Sequence, residues 1–125
     1  MDLIRGLLLK LESFPLKAGD VFIVGPGDIE VAMEGYNEDQ IEYHLSLLRE
    51  IDFIDCPGSQ PMLGITFRGL TWAGHDYLDA VRDPEIWKKT KQGVEAAGGF
   101  TVDLVKELAK GLIKTQIEKF TGVKL

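Results

Sequence analysis

The chain has 125 residues, 45% hydrophobic and 27% charged, with a formal net charge of −6. That length buries a core without disulfides or metals. The lone cysteine, Cys56, excludes an intrachain disulfide and suits a reducing cytoplasm, and no window approaches the ~20 apolar residues of a membrane span. The charge is uneven: residues 1–63 hold 4 Lys/Arg against 12 Asp/Glu, whereas residues 64–125 hold 10 against 8. The N-terminal half therefore exerts little long-range pull on nucleic acid.

Leu3, Leu7, Leu8 and Leu11 recur at helical spacing and predict a first helix over 2–13, ended by Ser13-Phe14-Pro15. Asp2 and Lys10 interrupt the apolar run and no small-residue cleavage site follows, so the segment is not a signal peptide. The period then changes. Val21-Phe22-Ile23-Val24, the Gly25-Pro26-Gly27 break, and Ile29, Val31 and Met33 alternating with polar positions predict two short strands around a tight turn. Asn37 with Gln40 three residues on is a capping-box pattern. It opens a helix whose inner face is Ile41, His44, Leu45, Leu47 and Leu48, with Glu38, Asp39, Glu42, Ser46 and Arg49 outward.

Ile51, Phe53 and Ile54 lead into a strand, CPGSQPMLG forms a hairpin tip, and residues 64–70 return. Thr71 caps a helix from 72 to about 81, and Asp83-Pro84 starts another over 84–97, which Gly98-Gly99 stops. Thr101 caps a last helix with a stripe of Val102, Val105, Leu108, Leu112, Ile113 and Phe120, closed by Gly122. This order predicts an α+β fold with a winged helix-turn-helix-like core over 1–82 and short β-hairpins. Helix 38–50 takes the recognition-helix place and 55–65 the wing. A helical extension, 83–125, packs on the core or dimerises through 101–120, within a single compact domain overall.

Two stretches, GYNEDQIEYHLSLLREIDFI and FRGLTWAGHDYLDAVRDPEIWKKTK, resemble an uncharacterised bacterial and phage family catalogued as domain of unknown function 2513. The resemblance rests on Tyr43-His44-Leu45, the Gly69–Asp79 block and the closing segment from Gly98 to Lys119. It implies a phage or mobile-element association and no particular chemistry. The joints also resemble those of winged-helix regulators, with two departures. Strand-like DIEVAMEGY replaces the usual short helix before the recognition helix, and Ile51-Asp52-Phe53-Ile54 stands where regulators commonly carry Gly in the turn.

From Asn37 to Asp55 six acids (Glu38, Asp39, Glu42, Glu50, Asp52, Asp55) face one base, Arg49. Base edges are read by Arg, Lys, Asn and Gln. The leading expectation is therefore a cytoplasmic, non-enzymatic protein that contacts a partner, such as a basic host protein, through Glu38, Asp39, Glu42, Asp52 and Asp55. The alternative is a dimeric transcriptional regulator that uses Asn37, Gln40, Ser46, Arg49, Gln60 and Arg68, with Ser59 on the wing. A cationic cluster around Trp87, Lys88, Lys89 and Lys91 reads first as a solvated helix face with Trp87 inward. In the Gly69–Asp79 block, His75 and Asp79 can pair across one helical turn.

With only His44 and Cys56 as further ligands, at spacings atypical of zinc sites, no metal or cofactor is expected. His44 and His75 are expected to be partly buried and hydrogen-bonded. No nucleophile or second acid–base partner is indicated. Gly25-Pro26-Gly27-Asp28 lacks the ending and the following helix of a phosphate loop.

Overall fold

The computed structural model describes residues 2–99 and 101–124. The chain divides into two compact units, 1–76 and 77–125, with the division inside a helix.

In the first unit, α1 (Asp2–Glu12) buries Leu3, Ile4, Leu7, Leu8 and Leu11. A buried leucine contributes roughly 1.5–3 kcal/mol, so this single face supplies much of the unit's apolar core. The strand β1 (Phe22–Val24) follows. The second strand expected after Gly25-Pro26-Gly27 does not form. Residues Ile29–Val31 make one turn of 3₁₀ helix, closed by Val31 N–H to Asp28 C=O at 3.1 Å and Ala32 N–H to Ile29 C=O at 3.2 Å. The alternation that suggested a strand has a different origin: Val31 alone of the segment is buried, while Ile29 points to solvent. The 3₁₀ turn packs against α1.

Next come α2 (Glu38–Glu50), β2 (Ile54–Asp55), β3 (Ile65–Phe67) and β4 (Gly69–Leu70). The chain returning from the 55–65 loop is split between two sheets. Its first part, β3, pairs antiparallel with β1 in the register Phe22 to Phe67, Ile23 to Thr66 and Val24 to Ile65. Its second part, β4, pairs with β2, Ile54 to Leu70 and Asp55 to Gly69. Phe14, in the break after α1, sets its ring edge-on to Phe22 and Phe67, with centroids 5.7 Å away in each case.

The helix α3 (Trp72–Val81) spans the division between the units. In the second unit, α4 (Pro84–Ala97) and α5 (Val102–Thr121) lie antiparallel: Gly93 approaches Leu108, while Ile86 and Leu112 share one groove. Asp83 caps α4 through the N–H groups of Glu85 and Ile86 at 2.8 and 3.1 Å, and Thr101 caps α5 through Leu104 N–H at 3.0 Å. Ile86, Trp87, Thr90, Val94, Val105 and Ala109 are buried. The predicted α5 stripe does not stay covered along its length: Phe120 is 94% exposed.

Candidate functional site

The acidic helix is built by local chemistry. Asn37 Oδ1 accepts from Gln40 N–H, and Gln40 Oε1 accepts from Asn37 N–H, both at 2.9 Å. This reciprocal pair satisfies two backbone donors at the α2 start. It also ties up two residues that a groove-reading helix would offer to bases. Glu38 and Asp39 stand exposed in the first turn, where carboxylates are favoured by the helix dipole. Ile41, Leu45 and Leu48 face the core as expected, whereas Glu42 and Ser46, read as outward, are half-buried.

Glu42 has a tertiary role that its spacing does not reveal. Its Oε2 accepts the Gly64 N–H at 2.6 Å, across 22 residues, and fastens the wing to α2. Gly64 itself must be glycine: its φ is +86°, and a Cβ there would stand 2.0 Å from Val24 O. The wing tip folds around Gln60. The Gln60 amide donates to the carbonyls of Cys56 and Gly58 at 3.2 Å each and accepts Thr66 N–H at 2.9 Å. Arg68 Nε meets Asp55 Oδ2 at 2.8 Å, both side chains about half exposed. Of the six residues assigned to DNA, Asn37, Gln40 and Gln60 hold backbone groups and Arg68 is paired. Among them Arg49 is the exposed cation on α2 itself.

Asp52, in the turn from α2 to β2, has φ +61°. Asp tolerates that left-handed region better than most residues. Its carbonyl accepts Thr71 Oγ1–H at 2.5 Å, and the same Thr71 oxygen accepts Gly74 N–H at 3.1 Å. Thr71 therefore caps α3 and ties it to the α2–β2 turn. Gly74 lies flush on that turn: a Cβ there would be 2.0 Å from Phe53 O. Thr71 and Gly74 of the Gly69–Asp79 block have their roles in this joint.

The histidines and the cationic cluster divide differently from expectation. His44 is half-buried, with Nδ1 2.8 Å from Gln40 O. His75, expected to be partly buried, is exposed. The buried positions of α3 are 74, 77, 78, 80 and 81, a face built on the i, i+3, i+4, i+7 spacing that leaves 75 outside. The expected His75–Asp79 pairing is replaced by Asp79 Oδ1 accepting from Arg82 at 2.8 Å. Trp87 is buried, as the simpler reading held, with Lys91 Nζ 5.8 Å from its ring centroid, within cation–π range. The Cys56 thiol is pushed up to about 11, chiefly by burial; Asp55 acts in the same direction and Arg49 against it. A thiol so protonated is a poor nucleophile at neutral pH.

The sequence reading passed over a set of apolar side chains beside the acids. Tyr43 is 62% exposed on α2, edge-on to His44, and Met62 at the wing tip is 98% exposed with Leu63 next to it. The Glu42–Gly64 bond brings the Tyr43 turn of α2 and the Leu63 end of the wing together. Beside the start of α2, a groove of about 550 Å³ is lined by Met33, Tyr36 and Ile41 together with the carboxylates of Glu34 and Glu38. The signal in the sequence was the Met62-Leu63 pair between Pro61 and Gly64, an apolar pair at a loop tip where polar residues are usual.

The family profile described as "Hypothetical protein (DUF2513)" matches residues 1–100. The chain belongs to the DUF2513 family. A Haemophilus influenzae relative named "Uncharacterized protein" is 28% identical over 119 residues, covering 93% of this chain and 95% of its own. No solved structure matches. The DUF2513 match ends at residue 100, so it takes in the α2–wing joint and the Thr71–Gly74 lock and leaves α5 outside.

Proposed function

We propose that this DUF2513 chain is a small, non-enzymatic winged-helix-type protein of the cytoplasm, with the phage or mobile-element association that the resemblance implies. It acts by docking a protein partner on the acidic surface of α2 and the turn into the wing. The winged-helix reading is supported by the order α1, β1, 3₁₀ turn, α2, β2, tip, split return strand, α3, with β1 on β3 and β2 on β4.

The observation that carries the docking reading is the composition of the α2–wing surface. α2 exposes Glu38, Asp39 and Tyr43 and the 55–65 loop exposes Met62 and Leu63, while the amide oxygens of Asn37, Gln40 and Gln60 hold the chain's own backbone. Desolvating an aromatic and two aliphatic side chains inside an acidic rim suits a basic protein with an apolar centre. DNA phosphates are repelled by the same surface.

Two measurements test this. Fluorescence anisotropy against labelled random duplex DNA, at low salt and then rising salt, should show no binding at tens of micromolar protein. Salt-sensitive binding in that range would instead favour a regulator that uses Arg49 and Ser46, dimeric through α5, where Phe120 is exposed. In host lysate, the double variant Glu38→Lys/Asp39→Lys should lose the protein captured by the native chain. Undiminished capture removes this surface. Glu42 is left intact in that variant because it holds Gly64.

A further inference from the structure

The first unit carries a second surface, on β1. Thr66 gives its N–H to Gln60 Oε1 at 2.9 Å, so it does not give it to β1. In an antiparallel ladder, opposed residues alternate between bonding each other and facing away. Ile23, opposite Thr66, therefore turns its own N–H and C=O outward, to the edge of the sheet that β3 does not cover. The side chain there is 74% exposed, and Val21 and Phe22 beside it are exposed as well.

Natural sheets protect such edges with lysine, proline or a bulge, because an apolar edge is a template for another strand. This one has none of the three: the run is Val21-Phe22-Ile23-Val24. Along it lies a groove of about 390 Å³ whose lining includes Phe14, Pro15, Phe22 and Ile23 at one part and Asp28 and Glu30 at another, with no lysine or arginine among the lining residues. Asp20 places a further carboxylate just before the strand.

We propose that β1 accepts an extended peptide segment as an added strand, with apolar side chains at alternate positions and lysine or arginine at the flanks. Main-chain bonds to Ile23 set the pairing, the Phe14–Phe22 groove takes the apolar side chains, and Asp28, Glu30 and Asp20 select the basic flanks. The residues that carry it, on β1 and its groove, are different from those of the docking surface on α2 and the 55–65 loop, so variants on each test the two readings independently.

The probe is a seven-residue peptide alternating lysine and valine, blocked at both ends and titrated into ¹⁵N-labelled full-length protein. We expect amide shifts centred on residues 21–24 and saturation with a Kd on the order of 100 µM, as befits few hydrogen bonds and a flexible ligand. Ile23→Pro removes only the outward N–H and leaves the β1–β3 ladder its donors. It should weaken binding by about two- to tenfold, one hydrogen bond's worth. Ile23→Lys, which keeps the N–H and blocks the edge with charge, is the second variant should the proline disturb folding. The same peptide N-methylated at its outward amides should not bind, and its lysine-to-glutamate counterpart should bind several-fold more weakly.

Three results would overturn the proposal. One is the absence of shifts at millimolar peptide. Another is shifts centred on 37–50 that vanish in Glu38→Lys/Asp39→Lys and persist in Ile23→Pro. The third is a concentration-dependent dimer in sedimentation equilibrium that Ile23→Pro dissociates, which would make a second copy of this chain the occupant.

Discussion

Replacing Gly74 by alanine sets two physical effects against each other. Alanine is the better helix former by about 1 kcal/mol, and Gly74 lies inside α3. Against that, its Cβ would stand 2.0 Å from Phe53 O and 2.9 Å from Phe53 C, backbone atoms that no rotamer change can move. Ordinary contact begins at 3.4 Å, so α3 and the α2–β2 turn must separate by about 1.4 Å, taking the closest contact as the measure. A displacement of that size disrupts two hydrogen bonds at this joint, Thr71 N–H to Phe53 O at 3.0 Å and Thr71 Oγ1–H to Asp52 O at 2.5 Å. Each is worth roughly 0.5–1.5 kcal/mol, and forced overpacking adds about 1–3 kcal/mol. After the helix-propensity gain, Gly74→Ala should destabilise by about 1–5 kcal/mol. Urea unfolding followed by far-ultraviolet circular dichroism measures this as a fall in midpoint of about 0.5 M or more, for a slope near 2 kcal/mol/M. A variant as stable as the native chain, or more so, would show that propensity outweighs the contact and would refute the close approach.

Other perturbations address the same frame. Glu42→Ala should cost about 1–2 kcal/mol through loss of a charge-assisted bond to Gly64 N–H, with Glu42→Gln losing less. Glu38→Lys/Asp39→Lys should lose only a few tenths to about 1 kcal/mol per site from the helix dipole; thermal melts that rank the two sites the other way would contradict the Glu42 assignment. At Asp52, with φ +61°, Asp52→Gly should stay within about 1 kcal/mol of the native chain, relief of the left-handed backbone offsetting the entropy of glycine. Asp52→Val should lose about 1–2 kcal/mol or more, and equal urea midpoints for the two would exclude the backbone argument. Burial pushes Cys56 from 9.0 up to about 11 and Tyr77 from 10.0 up to about 12. In both cases the folded chain holds the proton more tightly than the unfolded one, so the contribution is complete below pH 9 and is lost as pH climbs through 9 to 12. Urea midpoints should fall across that window, and Tyr77→Phe and Cys56→Ser should each flatten the fall; a rising midpoint would reverse the sign.

The parts legible in the sequence are those whose hydrogen bonds close within a few residues. The Asn37–Gln40 box, the Asp83 and Thr101 caps, and the extents of α2, α4 and α5 all follow from neighbours on the chain. The 3₁₀ turn is not legible in the sequence because Ile29, Val31 and Met33 satisfy a strand pattern equally well. Period-2 spacing over five residues does not separate an extended run from one tight turn with a single buried side chain. His75 was misplaced for a related reason, since its burial depends on which face of α3 meets the α2–β2 turn.

By itself, then, the sequence determined an α+β chain, its helices with their caps, the apolar faces of α1 and α2, and the concentration of carboxylates from 38 to 55. Those properties depend on residue type and on spacing below about one heptad, so they are written locally. Tertiary structure decided the rest. It paired β1 with β3 across some 40 residues of chain, sent the Glu42 carboxylate to Gly64 N–H, committed Gln60 to the wing, and pressed Gly74 onto Phe53. Each of these joins residues 6 to 45 positions apart, where the partner of a donor or a strand edge is chosen by packing of the apolar faces and not by the residues alone.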